Sequence, residues 1–81
     1  PTQATSTFKY DLPEDAIVKL NLYNIIGQEV KKLISEFQTA GYFTRSFKLN
    51  DLSSGVYFAR IIAETSSGNI LSSLIKVVLI K

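Results

Sequence analysis

Apolar and polar residues alternate along most of this chain. In Phe8-Lys9-Tyr10-Asp11-Leu12 every second residue is apolar and charges fall between, which predicts a half-buried strand. Pro13-Glu14-Asp15 interrupts the run, because proline cannot donate to a ladder. The stretch from Ala16 to Tyr23 repeats the pattern, with Val18, Leu20 and Leu22 on one face and Lys19 and Asn21 on the other. Asn24-Ile25-Ile26-Gly27 predicts a hairpin turn in which the glycine takes a positive φ and leads into Gln28-Glu29-Val30. Beyond Ala40-Gly41, the residues Phe43, Arg45, Phe47 and Leu49 oppose Tyr42, Thr44, Ser46 and Lys48. The turn formers Asn50-Asp51-Leu52-Ser53-Ser54-Gly55 follow, then a run from Val56 to Ala63 rich enough in β-branched and aromatic residues for a central strand. Thr65-Ser66-Ser67-Gly68-Asn69 marks another turn, and Ile70 to Ile80 forms the last run. Turn signals recur roughly every ten residues, the spacing of a sandwich of about seven short antiparallel strands.

Residues 28–40 break the alternation. Val30, Leu33, Ile34 and Phe37 sit at i, i+3, i+4 and i+7, which is the stripe of an amphipathic helix between Gly27 and Gly41. A strand puts Val30, Lys32 and Ile34 on one face and leaves Leu33 on the other, so the pattern alone favours the helix.

Composition narrows the function more than the fold. With 81 residues the chain is one domain, and at this size only about 60% of the unfolded surface is buried. A substrate cleft would compete with the core for the same few side chains. Nine Lys and Arg stand against seven Asp and Glu, scattered except for the doublet Lys31-Lys32. That is a solvated surface without the clustered basic patch that nucleic acid requires. Cysteine and histidine are both absent, which removes disulfides, thiolate chemistry, the commonest general base and the commonest metal ligand. No apolar stretch approaches the ~20 residues of a membrane helix, and Pro1-Thr2-Gln3 has neither the basic start nor the apolar run of a signal peptide. Without methionine anywhere, the chain reads as a piece of a longer protein.

The remaining candidates for chemistry have plainer readings beside them. Glu14-Asp15 is an adjacent carboxylate pair, but in a loop after proline such a pair caps turns. Asn50-Asp51 with Ser53 and Ser54 is too thin for a calcium loop. Ser72 and Lys76 share a face of the last run and are the one pair that resembles a serine with a lysine base; a polar face on an edge strand accounts for them as well, since an edge lysine discourages pairing. The nine aromatic residues are expected to fill the core, with Tyr42 the best candidate for exposure. No enzyme and no cofactor is expected from this set.

Several segments carry a family resemblance. They are Phe8-Lys9-Tyr10-Asp11-Leu12-Pro13-Glu14, Leu22-Tyr23-Asn24-Ile25-Ile26-Gly27-Gln28-Glu29-Val30, Ala40-Gly41-Tyr42, Ser54-Gly55-Val56-Tyr57-Phe58 and the closing Lys76-Val77-Val78-Leu79-Ile80-Lys81. In order and spacing the chain resembles the C-terminal sorting domain of the type IX (Por) secretion system of the Bacteroidetes, and more distantly the Ig-like domain of flagellar hook-capping proteins. The family often opens with an Asn-Pro-rich element, of which Pro1 is the only candidate remnant. The resemblance implies an all-β, immunoglobulin-like β-sandwich over residues 1–81. It also implies a strand at residues 28–35 against the local periodicity, with room for a helical turn near Ser35 to Thr39.

By the same resemblance the domain is a secretion signal, excised from a larger secreted protein. An N-terminal cargo domain would precede it in the same chain, and the outer-membrane secretion translocon would recognise it. A sortase-like cysteine protease would remove it, and the cargo would reach the cell surface or the medium by way of the periplasm. Residues carried over from the family pattern are Gly27, Gly41 and Gly55 at turns, and Val56, Tyr57, Lys76 and Lys81 as recognition candidates. Turn geometry accounts for the glycines and core packing for Val56 and Tyr57, which leaves the two lysines as the stronger functional candidates. The alternative function is a non-catalytic accessory module of a secreted enzyme, binding carbohydrate or protein. It requires a flat exposed row of aromatic rings on one sheet.

Overall fold

The computed structural model describes residues 4–81. Pro1, with the Asn-Pro-rich element it was matched to, lies outside the described residues. Six strands follow in chain order: β1 (Thr5–Leu12), β2 (Ala16–Tyr23), β3 (Glu29–Gln38), β4 (Gly41–Lys48), β5 (Gly55–Thr65) and β6 (Ile70–Leu79). Every pairing is antiparallel. β1 and β4 form a two-stranded sheet, and the other four form a sheet in the order β3-β2-β5-β6. Among the described residues the number is therefore six rather than about seven. The ten-residue spacing overcounts because β5 runs eleven residues and β6 ten, each without a break.

Residues 28–40 are strand, not helix, and no helical turn occurs between Ser35 and Thr39, because β3 is continuous through Gln38. The helical pattern has a specific cause. Against β2 the register slips twice, between Leu20 and Asn21 and between Leu22 and Tyr23. Leu20 faces Ile34 and Asn21 faces Lys32, so Leu33 is one extra residue; Leu22 faces Lys31 and Tyr23 faces Glu29, so Val30 is another. Each bulge changes the phase of the alternation. Leu33 and Ile34 consequently both pack on the core, which no straight strand permits.

The core lies between the sheets. Val18, Leu20 and Leu22 of β2 are fully buried with Ala59 of β5 beneath Phe8 and Leu12 of β1. Complete burial of a Val or Leu side chain stabilises by roughly 1.5–3 kcal/mol. Phe43 and Phe47 of β4 pack against this cluster, Tyr10 stacks on Phe43 at 5.3 Å, and Phe8 meets Phe47 at 6.1 Å. β5 is central, paired on both sides by β2 and β6, as its composition predicts.

Candidate functional site

The turns sort onto two ends of the sandwich. At one end the carboxylates of Glu14 and Asp15 hold loops together. Asp15 accepts from the Ala40 amide at 2.9 Å, its carbonyl accepts from the Ser66 amide at 2.9 Å, and Glu14 accepts from the Ser67 hydroxyl at 2.9 Å. These acids act as turn caps, and nothing in their surroundings sets them up as an acid–base pair.

The other end gathers around Asn50, a residue the sequence marks only as a turn former. Its side-chain oxygen accepts from the Ala4 amide at 2.7 Å, and its carbonyl accepts from the Lys81 ammonium. The Lys81 amide donates to the Ser54 hydroxyl at 3.1 Å. Beside it Lys31 pairs with Asp51 at 2.8 Å, and that hydrogen bond lowers the Asp51 pKa from its ordinary value of 3.8. Lys81 is therefore tied to the fold rather than free. Tyr57 is buried, and its hydroxyl donates to the Ser53 carbonyl at 2.8 Å; Val56 is half-buried beside it. The hairpin turn forms where the alternation stops. Gly27 takes φ +85°, and the Asn24 side chain accepts from the amides of Ile26 and Gln28 at 3.1 and 2.9 Å. Gly41 opens β4 opposite Leu12, and Gly55 opens β5 with a positive φ of 156°, a conformation that side-chain-bearing residues rarely adopt.

Lys76 is the recognition candidate that the fold does not tie down. It stands with Ser72 on the outer face of β6, at the free edge of the four-stranded sheet, and joins no ion pair among the described residues. The two edges of that sheet differ. β3 carries two bulges and the charges Glu29, Lys31, Lys32 and Glu36, devices that prevent another strand from pairing. β6 has no register shift against β5, and Lys76 is its only charge. Ile70, Leu71, Leu74, Ile75 and Val78 are all exposed along it. A strand apolar on both faces ordinarily lies inside a sheet. The edge position agrees with the reading of Ser72 and Lys76 as an edge-strand face, whereas the sequence does not show that apolar residues stay exposed on both faces of it.

The aromatic residues form no platform. Tyr42 is 90% exposed on β4 and Phe37 is 62% exposed on β3, in different sheets. Among the described residues no group of three His, Cys, Asp or Glu is arranged to hold a metal ion. Among the described residues no helix is long and apolar enough to cross a membrane.

A small antiparallel module, with loops closed by side-chain caps and one apolar edge left bare, has the form of a domain that another protein handles. The chain belongs to the family of secretion system C-terminal sorting domains, whose model matches residues 1–77. No curated protein and no solved structure matches it. It is a C-terminal sorting signal of type IX secretion, a non-catalytic domain that directs export through the outer membrane to the cell surface or the medium, and the machinery of that system is its partner. The accessory-module alternative is not favoured.

Proposed function

We propose that the sorting domain is an immunoglobulin-like sandwich whose β6 edge is the element the translocon reads. The carrying observation is the contrast between the two edges of the larger sheet: β3 is bulged and charged, while β6 is straight, apolar and marked by Lys76 alone. An extended segment of the translocon would add to β6 by main-chain pairing, with pockets for alternate side chains and Lys76 fixing register by charge. The immunoglobulin-like assignment is supported by two antiparallel sheets around one core. It is also supported by the buried Tyr57 near the start of β5, whose hydroxyl reaches back to the Ser53 carbonyl in the manner of a tyrosine corner. In this reading a cargo domain precedes the sorting domain in the same chain, and a sortase-like cysteine protease of the system separates the two after export.

A fluorescent reporter carrying an N-terminal export signal and ending in this domain tests the reading in a host with a working type IX system. Deleting residues 76–81 would also remove Val77 and Leu79, which are buried, and so would confound folding with recognition. Lys76→Glu combined with Leu74→Lys changes exposed positions only. The intact reporter is expected outside the cell and the double variant, folded by circular dichroism, in the periplasm. Equal export of both would overturn the β6 assignment and leave the sorting role standing.

A further inference from the structure

Four strands face two in this sandwich, and the mismatch falls on one flank. Between β3 and β4 the rim is closed. Arg45 meets Glu36 at 3.5 Å, the Tyr10 hydroxyl donates to Gln38 at 2.7 Å, and Leu33, Phe43 and Phe47 pack beneath. Between β1 and β6 it is open. Leu71 and Ile75 point inward, since their ladder partners Ala63 and Ala59 are core residues, yet they are 40% and 38% exposed. Two depressions of about 250 and about 260 Å³ run along this seam. One is lined by Tyr10, Ile61 and Leu71, the other by Phe8, Ile75 and Val77. β1 pairs only with β4, so the edge it turns toward the seam has no strand on it. Neighbouring strands lie about 4.8 Å apart, and a strand added to β1 would extend the small sheet to three strands and lie over the inner face of β6.

We infer that this seam is filled by a strand of the cargo-side polypeptide, the segment that leads into β1. The inference rests on the sorting reading, which supplies the cargo. Charge does not select the occupant, because Asp11 and Lys9 both border the seam. Connectivity does. The chain arrives at β1 already fixed: Ala4 is buried, its amide is held by Asn50, and its carbonyl accepts from the Leu49 amide. A segment tethered there is present at an effective concentration in the millimolar range, which a diffusing partner does not match. Pairing it to β1 gives a sandwich of three strands over four and leaves the outward hydrogen-bonding edge of β6 free for the translocon. The cargo linker then serves as a structural part of its own sorting signal.

The test uses the full-length protein with its cargo attached. A benzophenone amino acid replaces Leu71 or Ile75, with Val30 on the opposite edge as the control position, and cross-links are mapped by mass spectrometry. Intramolecular cross-links from both seam positions to residues preceding Pro1, and none from position 30, are the expected result. Cross-links to a second copy, identified by mixed isotopic labelling, or to another protein would overturn the inference, as would no cross-link from either seam position. A second readout covers photochemical failure. The domain carrying the preceding segment should melt about 5 °C or more above residues 1–81 alone, and equal melting would also overturn it. Export of the full-length protein, assayed in the same strains, separates the two readings: export without the seam contacts removes only this inference, and loss of export from the unmodified protein removes the sorting reading.

Discussion

Tyr57 separates a structural role from a recognition role. Its ring is 8% exposed, and its hydroxyl donates to the Ser53 carbonyl at 2.8 Å. Tyr57→Phe keeps the ring and removes that bond, for a net loss of about 0.5–1.5 kcal/mol. In a domain of this size 1 kcal/mol shifts Tm by about 4–8 °C, so the variant should melt roughly 2–12 °C below the parent. Tyr57→Ala also removes the ring and should cost about 3–5 kcal/mol. That is a large part of the total stability, which at typical values per residue is about 4–12 kcal/mol for 81 residues. Thermal melts by circular dichroism give the first quantity, and export of the fluorescent reporter gives the functional consequence. The expected result is a destabilised Tyr57→Phe that is still exported, and a Tyr57→Ala whose export falls with its folded fraction. A Tyr57→Phe with unchanged Tm and lost export would refute the structural reading and make the hydroxyl a contact of the translocon.

Three further outcomes are expected. Gly27→Val and Gly55→Val force a β-branched residue to φ +85° and +156°, with no steric clash at either Cβ, and each should cost about 1–2 kcal/mol in chemical denaturation; an unchanged midpoint for either variant would show that φ does not restrict that position. Asp51→Asn removes a carboxylate whose folded pKa is lowered by its hydrogen bond to Lys31, so its stabilising effect is present above 3.8 and disappears as the pH falls through the lower folded value. The Tm difference between parent and Asp51→Asn should therefore be seen at neutral pH and close in acid, and a difference that persists in acid would assign the effect to the loop instead. Val30→Glu, on the bulged edge, should leave reporter export unchanged, while Lys76→Glu with Leu74→Lys abolishes it; a shared loss would mean that the edges are not read differently.

Five of the six strands were legible as runs of period two or as dense β-branched stretches, because each keeps one phase along its length. β3 was not legible from its own pattern, since the extra residues at Val30 and Leu33 imitate a helical stripe. Only the family resemblance pointed to a strand there. Which strands share a sheet depends on pairings between distant residues, and local alternation carries no information about them. Ser72 and Lys76 suggested an edge strand at β6, but the apolar exposure on both of its faces and the open seam beside Leu71 and Ile75 could not be read from the chain. Asn50 was hidden for a different reason. A turn former looks the same whether or not its side chain and carbonyl fasten distant parts of the domain, and here they hold both Ala4 and Lys81.

That double attachment has a mechanical consequence. The place where the chain arrives and the place where it leaves are fastened to the same loop, so tension between the cargo and Lys81 does not run lengthwise through the sandwich. It acts first on Asn50 and Ser54. Once those bonds yield, β6 is drawn away from β5 starting at its Leu79 end, one ladder pair after another. Peeling breaks bonds in succession, whereas shear must break them together, so a machine pulling on these two points would unzip the terminal strands with little force, β6 from β5 at Leu79 and β1 from β4 at Thr5.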